Sequence, residues 1–272
     1  MNFHSDEWIM HNVREHYNEA LEYFPEDRIV GIYYQGSGNY GLDYEGSDVD
    51  TKLIVTPTLD DIIFNRQPIS TTHVRDNDEH IDFKDIRLMF GTFRKCNLNF
   101  TEILFTRFKI VNSLYAKQWD RIVANNELIA RYNEVAAVRT MKGIAMEKFH
   151  ALEHRYPTKI DIIDKYGFDG KQLHHLFRVE EYLKRFIDGE PYANCLISNQ
   201  AEYLKNVKTH GYYSLDQARI LAQESLDRVC AMADEFREEH LEEVNEEIDS
   251  LLDDVQREII LIAIKKEIGD EK

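Results

Sequence analysis

Two carboxylates one residue apart, Asp48 and Asp50, open an apolar run, and a Gly36-Ser37 pair lies ten residues before them. Side chains at i and i+2 of a strand project from one face, so a strand starting here would present both acids together and turn Val49 inward. Two such carboxylates repel unless a cation lies between them, and hard oxygen donors suit Mg²⁺ or Mn²⁺. A glycine-rich turn lets backbone N–H groups approach a phosphate. Together they are the equipment for in-line phosphoryl or nucleotidyl transfer. A solvated turn and two surface acids would use the same residue types. The order of strand, Gly-Ser, spacer and Asp-x-Asp at a strand start argues for a site.

The elements that must position these residues follow from periodicity. Residues 5–24 read as an amphipathic helix capped by Ser5 and closed by Pro25, with Trp8, Val13, Tyr17, Ala20, Leu21 and Phe24 on its apolar face. "RIVGIYYQ" (28–35) and "DVDTKLIVT" (48–56) read as strands around a loop, "GSGNYGLDYEGS". A helical turn follows at 57–64. "HIDFKDIRLMFGTFRKC" begins as a strand at 79–83 and becomes a helix at 85–95. From about 113 onward only helical patterns recur, near 115–127, 130–154, 171–187, 198–208, 214–239 and 241–266. The expected class is α+β: a mixed-sheet domain over 1–112, with an N-terminal helix, and an all-helical domain over 113–272.

The last helix carries an apolar stripe of Leu241, Val244, Ile248, Leu251, Val255, Ile259 and Ile262, suited to its own domain or to a second copy of the chain. Lys171, His175 and Arg178 fall at i, i+4 and i+7 on one helix face, as a cationic grip for phosphates would. His174 is offset from that face and reads as packing or solvent-exposed. Arg139 and Lys142 are weaker phosphate candidates. His150 and His154 have i, i+4 spacing but no accompanying acid or cysteine motif.

Composition limits the function. The net charge is −17, and residues 227–272 hold 16 Asp/Glu against 6 Lys/Arg. This balance argues against a broad track for a nucleic-acid backbone and leaves room for a local basic pocket. Cys96, Cys195 and Cys230 lack CxxC spacing and read as free thiols. The first residues lack a basic start, an apolar core and a small-residue cleavage site, and no run approaches a membrane span, so the expected location is the cytoplasm.

Gly36-Ser37 followed by Asp48-Val49-Asp50 resembles the signature of the DNA polymerase beta-type nucleotidyltransferase superfamily. Gln35, where an apolar residue is usual, and Thr51 depart from it. "GSGNYGLDYEGSDVD" is similar to a bacterial and phage group of nucleotidyltransferases associated with RNA repair. "FRKCNLNFTEILFT" (93–106), Gly143-Ile144-Ala145 and "YGFDGKQLHHLFRVEEYLKRFIDGE" (166–190) resemble its later segments in the same order. The resemblance covers residues 30–190. It implies a small palm-like sheet domain and transfer of a nucleoside monophosphate from a nucleoside triphosphate, ATP among the candidates, to a hydroxyl of an RNA end, a protein or a small molecule. It implies Mg²⁺ or Mn²⁺ on Asp48, Asp50 and a third carboxylate, and phosphate contacts from Gly36, Ser37, Lys171, His175 and Arg178. Asp82, in Ile81-Asp82-Phe83, fits the third acid; Glu79 and Asp85 are the alternatives. The competing expectation is a non-catalytic nucleotide-binding partner of an RNA-processing enzyme.

Overall fold

The computed structural model describes residues 3–209 and 211–270. In chain order the elements are α1 (Asp6–Ala20), β1 (Ile29–Gln35), β2 (Asp50–Val55), α2 (Leu59–Ile63), β3 (Ser70–Val74), β4 (His80–Asp85), α3 (Ile86–Arg94), α4 (Leu98–Thr101), β5 (Lys109–Val111), α5 (Ala116–Ala124) and α6 (Asn126–Ala130). Then come α7 (Glu134–Ala151), α8 (Ile160–Tyr166), α9 (Gly170–Ile187), α10 (Tyr192–Leu196), α11 (Ala201–Lys208), α12 (Leu215–Glu239) and α13 (Glu246–Asp270). The class is α+β, as the sequence implies.

Contacts divide the chain into two units, one of 1–39, 45–133 and 244–272, the other of 40–44 and 134–243. The expected boundary at 112/113 departs from this division in two ways. Helices α5 and α6 belong to the unit of the sheet, and α13 joins that unit on α3 and α5 instead of closing the helical unit.

The sheet of the first unit runs β3-β4-β2-β1-β5, with β2 and β4 parallel and the other neighbours antiparallel. Helix α1, capped by Ser5 Oγ accepting from Trp8 N at 3.1 Å, covers one sheet face. Ile9, Val13 and Ala20 pack there with Ile32, Tyr34, Val49, Leu53, Val55, Ile81 and Phe83. Burying each such large side chain stabilises by roughly 1.5–3 kcal/mol. Trp8 and Leu21, expected on that apolar face, are 37% and 39% exposed; His16 is the buried one.

The opposite sheet face meets Phe100 of α4, whose ring lies 4.2 Å from Lys52 Nζ, and Trp119 of α5, whose ring is 5.1 Å from that of Tyr33. Helix α13 packs on α3 and α5. It starts five residues later than its pattern suggests: Leu241 is 81% exposed and Val244 is also exposed. Its buried stripe is Ile248, Leu252, Val255, Ile259 and Ala263. Arg94 fixes it through Asp249 Oδ1 at 2.6 Å.

In the second unit α9 packs against α7, α11 and α12. Gly170 at its first turn allows the closest approach, since a Cβ there would lie 2.8 Å from the Val207 carbonyl oxygen. None of Cys96, Cys195 and Cys230 is in a disulfide; the first two are buried and the third half-buried. Among the described residues no helix is long and apolar enough to cross a membrane.

Candidate active site

Strand β1 delivers the chain into the Gly-Ser turn. Gly36 takes φ +135°, a conformation that disfavours any L side chain. The next three residues form a 3-10 turn in which Asn39 N donates to Gly36 O at 3.1 Å. Gly38 N donates to Tyr34 Oη at 3.0 Å, and a Cβ on Gly38 would meet that oxygen at 2.7 Å. Ser37 Oγ donates to Ser47 Oγ at 3.3 Å, which brings the turn to the residue before Asp48.

Past the loop, Val49 is fully buried in the α1-side core while Asp48 is exposed and Asp50 half-buried. Strand β2 starts at Asp50, two residues later than the pattern suggests, so Asp48 precedes the ladder; both carboxylates lie outside the core that takes Val49. Antiparallel pairing sets Asp50 opposite Gln35 and Lys52 opposite Tyr33; parallel pairing sets Lys52 beside Asp82. Paired residues share a sheet face, so Gln35, Asp50, Lys52, His80 and Asp82 line one polar face. Asp50 Oδ1 accepts from His80 N at 2.9 Å and lies 3.1 Å from His80 Nδ1. Burial, and next the charge of Asp48, raise the Asp50 carboxyl above its ordinary range; the His80 contacts offset only part of this. The side-chain oxygen Oε1 of Gln35, the residue opposite Asp50, is buried without a hydrogen-bond partner among the described residues.

The three candidates for the third acid separate clearly. Glu79 and Asp85 are committed elsewhere. Glu79 Oε1 accepts from Val49 N at 3.1 Å, and its Oε2 meets His16, Arg75 and Asn77. Burial alone would raise its carboxyl, but these donors together hold it at about 2. Asp85 caps α3, accepting from Arg87 N at 2.8 Å and from the Arg87 guanidinium. Asp82 is the acid on the face of Asp50. Its Oδ1 accepts from Thr72 Oγ1 at 2.6 Å, and its Oδ2 from Lys52 Nζ at 3.1 Å. Burial opposes ionisation of Asp82, yet the Lys52 charge and these donors outweigh it and lower its pKa. Lys52 itself, pushed down by burial and supported by Asp82, has a side chain only 1% exposed.

Among the described residues no group of three or more His, Cys, Asp or Glu side chains is arranged to hold a metal ion. The donor chemistry nevertheless fits a hard divalent cation at two positions. Asp48 raises the cost of ionising the partly desolvated Asp50, and a cation between them would relieve that repulsion. Asp82 carries its counter-charge already, in Lys52.

The helical-unit candidates lie on α9, whose start is capped by Asp169 Oδ1 accepting from Lys171 N at 2.9 Å. Lys171 is exposed; His175 and Arg178 are half-buried. His175 does not serve as a cation. Burial first, and then the charges of Arg178, Lys171 and Lys148, push its imidazole well below its ordinary value. His174 is buried, with Nδ1 2.8 Å from Leu204 O and its pKa lowered to about 4 by burial. The cations of the expected grip are therefore Lys171 and Arg178.

Residues 40–44, from the loop between the Gly-Ser turn and the aspartates, belong to this unit. Arg178 stacks 3.7 Å from the centre of the Tyr40 ring, and Lys208 4.2 Å from that of Tyr44. Arg139 pairs with Glu242 and Lys142 with Asp234, both at 2.7 Å. His150 and His154 are exposed. A cavity of about 820 Å³ in this unit is lined by Phe177, Lys184, Tyr203, Arg228 and Glu235, among others, and by none of the candidate residues.

Sequence reasoning missed Lys52, Thr72 and the two tyrosines. Lys52 was visible as the one basic residue inside an apolar strand pattern.

No protein-family model matches the chain, and no curated protein matches it. Among solved structures, a nucleotidyltransferase-like protein from Exiguobacterium sibiricum is similar, at 14% identity over 81% of this chain and 74% of that one, with a TM-score of 0.30. A superposition that loose assigns no residue of one chain to a residue of the other.

Proposed function

We propose that this chain is a metal-dependent nucleotidyltransferase. The observation that carries the reading is the Asp48–Asp50 pair, its members in electrostatic conflict, beside a Gly36-Ser37 turn joined to it through Ser37 and Ser47. Asp48 and Asp50 would hold Mg²⁺ or Mn²⁺, with Asp82 as the third acid of the set and Lys52 as its counter-charge. The bound ion would neutralise triphosphate charge as pyrophosphate leaves. Gly36 and Ser37 would bind the β- and γ-phosphates, and the resemblance adds Lys171 and Arg178 as candidate phosphate contacts. An acceptor hydroxyl oxygen forms the new bond to the α-phosphorus. The α–β bridging bond breaks, pyrophosphate departs, and the hydroxyl proton passes to water. The work of the residues is positioning and charge neutralisation. An RNA end, a protein or a small molecule is the acceptor.

A second reading is supported by the Lys52–Asp82 contact. With Asp82 paired internally, Asp48 and Asp50 alone would bind a metal–nucleotide complex without turnover. Incubating the protein with α-labelled nucleoside triphosphates, Mn²⁺ and cellular RNA or protein decides between the two. Label transfer by wild type and none by Asp50→Asn supports the enzyme. Nucleotide binding by calorimetry with no transfer to any acceptor supports the binding module.

A further inference from the structure

The residues on either side of Asp50 are held by one histidine–glutamate pair from the opposite sheet face. His16 of α1 is fully buried. Its Nδ1 lies 2.9 Å from Thr51 Oγ1 and its Nε2 3.0 Å from Glu79 Oε2. The other oxygen of Glu79 accepts from Val49 N at 3.1 Å. A closed path thus runs from the amide of Val49 through Glu79 and His16 to the hydroxyl of Thr51, with Asp50 between its ends. Since Glu79 is ionised and accepts, His16 Nε2 carries the donated proton. Arg75 secures the outside of the pair, donating to Glu79 at 2.7 Å and to Glu19 of α1 at 2.7 Å. Thr51 is itself 1% exposed, so the path is sheltered from water, where hydrogen bonds are electrostatically stronger and a broken one is costly.

We infer that His16 and Glu79 are positioning residues for the metal site, holding the Val49 amide and the Thr51 hydroxyl on either side of Asp50 so that its carboxylate keeps its place beside that of Asp48. This rests on the reading that those two acids bind a divalent cation. It also gives Glu79, the alternative third acid, a role other than ligation. A flexible Asp48–Asp50 segment would have to be ordered by the metal at a cost in affinity; a held one would not.

Mn²⁺ titration by electron paramagnetic resonance, with a thermal melt for each variant, tests this without an activity assay. Wild type is expected to bind Mn²⁺ and Asp50→Asn to lose it. Glu79→Ala and His16→Ala should bind at least tenfold more weakly while melting cooperatively. Glu79→Gln should fall between wild type and Glu79→Ala, because its amide oxygen still accepts from Val49 N while its amide nitrogen opposes the Arg75 and Asn77 donors. Thr51→Val, nearly isosteric, should lose a few-fold, and it decides the matter if Glu79→Ala does not fold. Wild-type affinity in folded Glu79→Ala, or in Thr51→Val if the alanine variant is unfolded, overturns the inference while Asp50→Asn still marks the metal site. Wild type without Mn²⁺ binding, or Asp50→Asn binding as wild type does, overturns the metal-site reading and this inference with it.

Discussion

The Lys52 ammonium, on a side chain 1% exposed, lies 3.1 Å from the Asp82 carboxylate, whose side chain is 31% exposed. The asymmetry of that pair sets the outcome of breaking it. Asp82→Asn leaves a buried ammonium without its counter-charge, whereas Lys52→Met leaves an acid that water reaches. Asp82→Asn should cost about 2 kcal/mol, less than a fully desolvated pair would because of the exposure of Asp82, and Lys52→Met should cost less than that. Urea denaturation of the two variants checks the order.

Glu79 should dominate part of the acid limb of stability. Its folded pKa is about 2 against an ordinary value of 4.5, so the stability it contributes is complete above pH 4.5 and is lost as pH falls toward 2. The depression corresponds to about 3 kcal/mol. Wild type should lose stability steeply across that window, and Glu79→Gln should show a flatter profile, measured as urea midpoints against pH.

His174 should remain neutral at every pH near physiological. Its folded pKa, about 4, lies below the ordinary 6.5, so the unfolded chain takes up a proton first and stability declines as pH falls from 6.5 toward 4. The imidazole C2–H resonance should titrate near pH 4, and His174→Phe should remove this part of the decline. A resonance titrating near 6.5 would show that the ring is open to water.

Gly36→Ala should be costly without any steric clash. The nearest heavy atom to an added Cβ is 3.4 Å away, so the penalty comes from φ +135° and should be about 1–3 kcal/mol. Gly38→Ala should also destabilise, by forcing Tyr34 Oη from its bond with Gly38 N. Gly36→Ala should also lose transfer activity, because the proposed reading sets this turn against the phosphates of the nucleotide.

The site motif was legible because its spacing is local. Gly36 and Ser37 follow β1 as a turn and Val49 enters the core, while β2 starts at Asp50 and not at Asp48. Strands β3 and β5 were not legible. Residues 70–74 form a largely exposed edge strand without an apolar alternation, and β5 is only three residues long. The start of α13 was misread because Leu241 and Val244 continue the apolar spacing through a segment that is not helical. What a residue meets across the chain was hidden as well. His16 to Thr51 and Glu79, and Lys52 to Asp82, depend on strand order, which no local pattern encodes. The neutrality of His175 depends first on its burial and then on the cations the fold gathers around it.

The central claim is tested most directly by supplying one nucleoside triphosphate with label at either the α- or the γ-phosphate, with Mn²⁺ and cellular RNA or protein, to wild type, Asp48→Asn and Asp50→Asn. The expected result is α-label joined to an acceptor, γ-label released as pyrophosphate, and neither event in the variants at unchanged melting temperature. Transfer of the γ-label, or α-label transfer that survives in both variants, would contradict it.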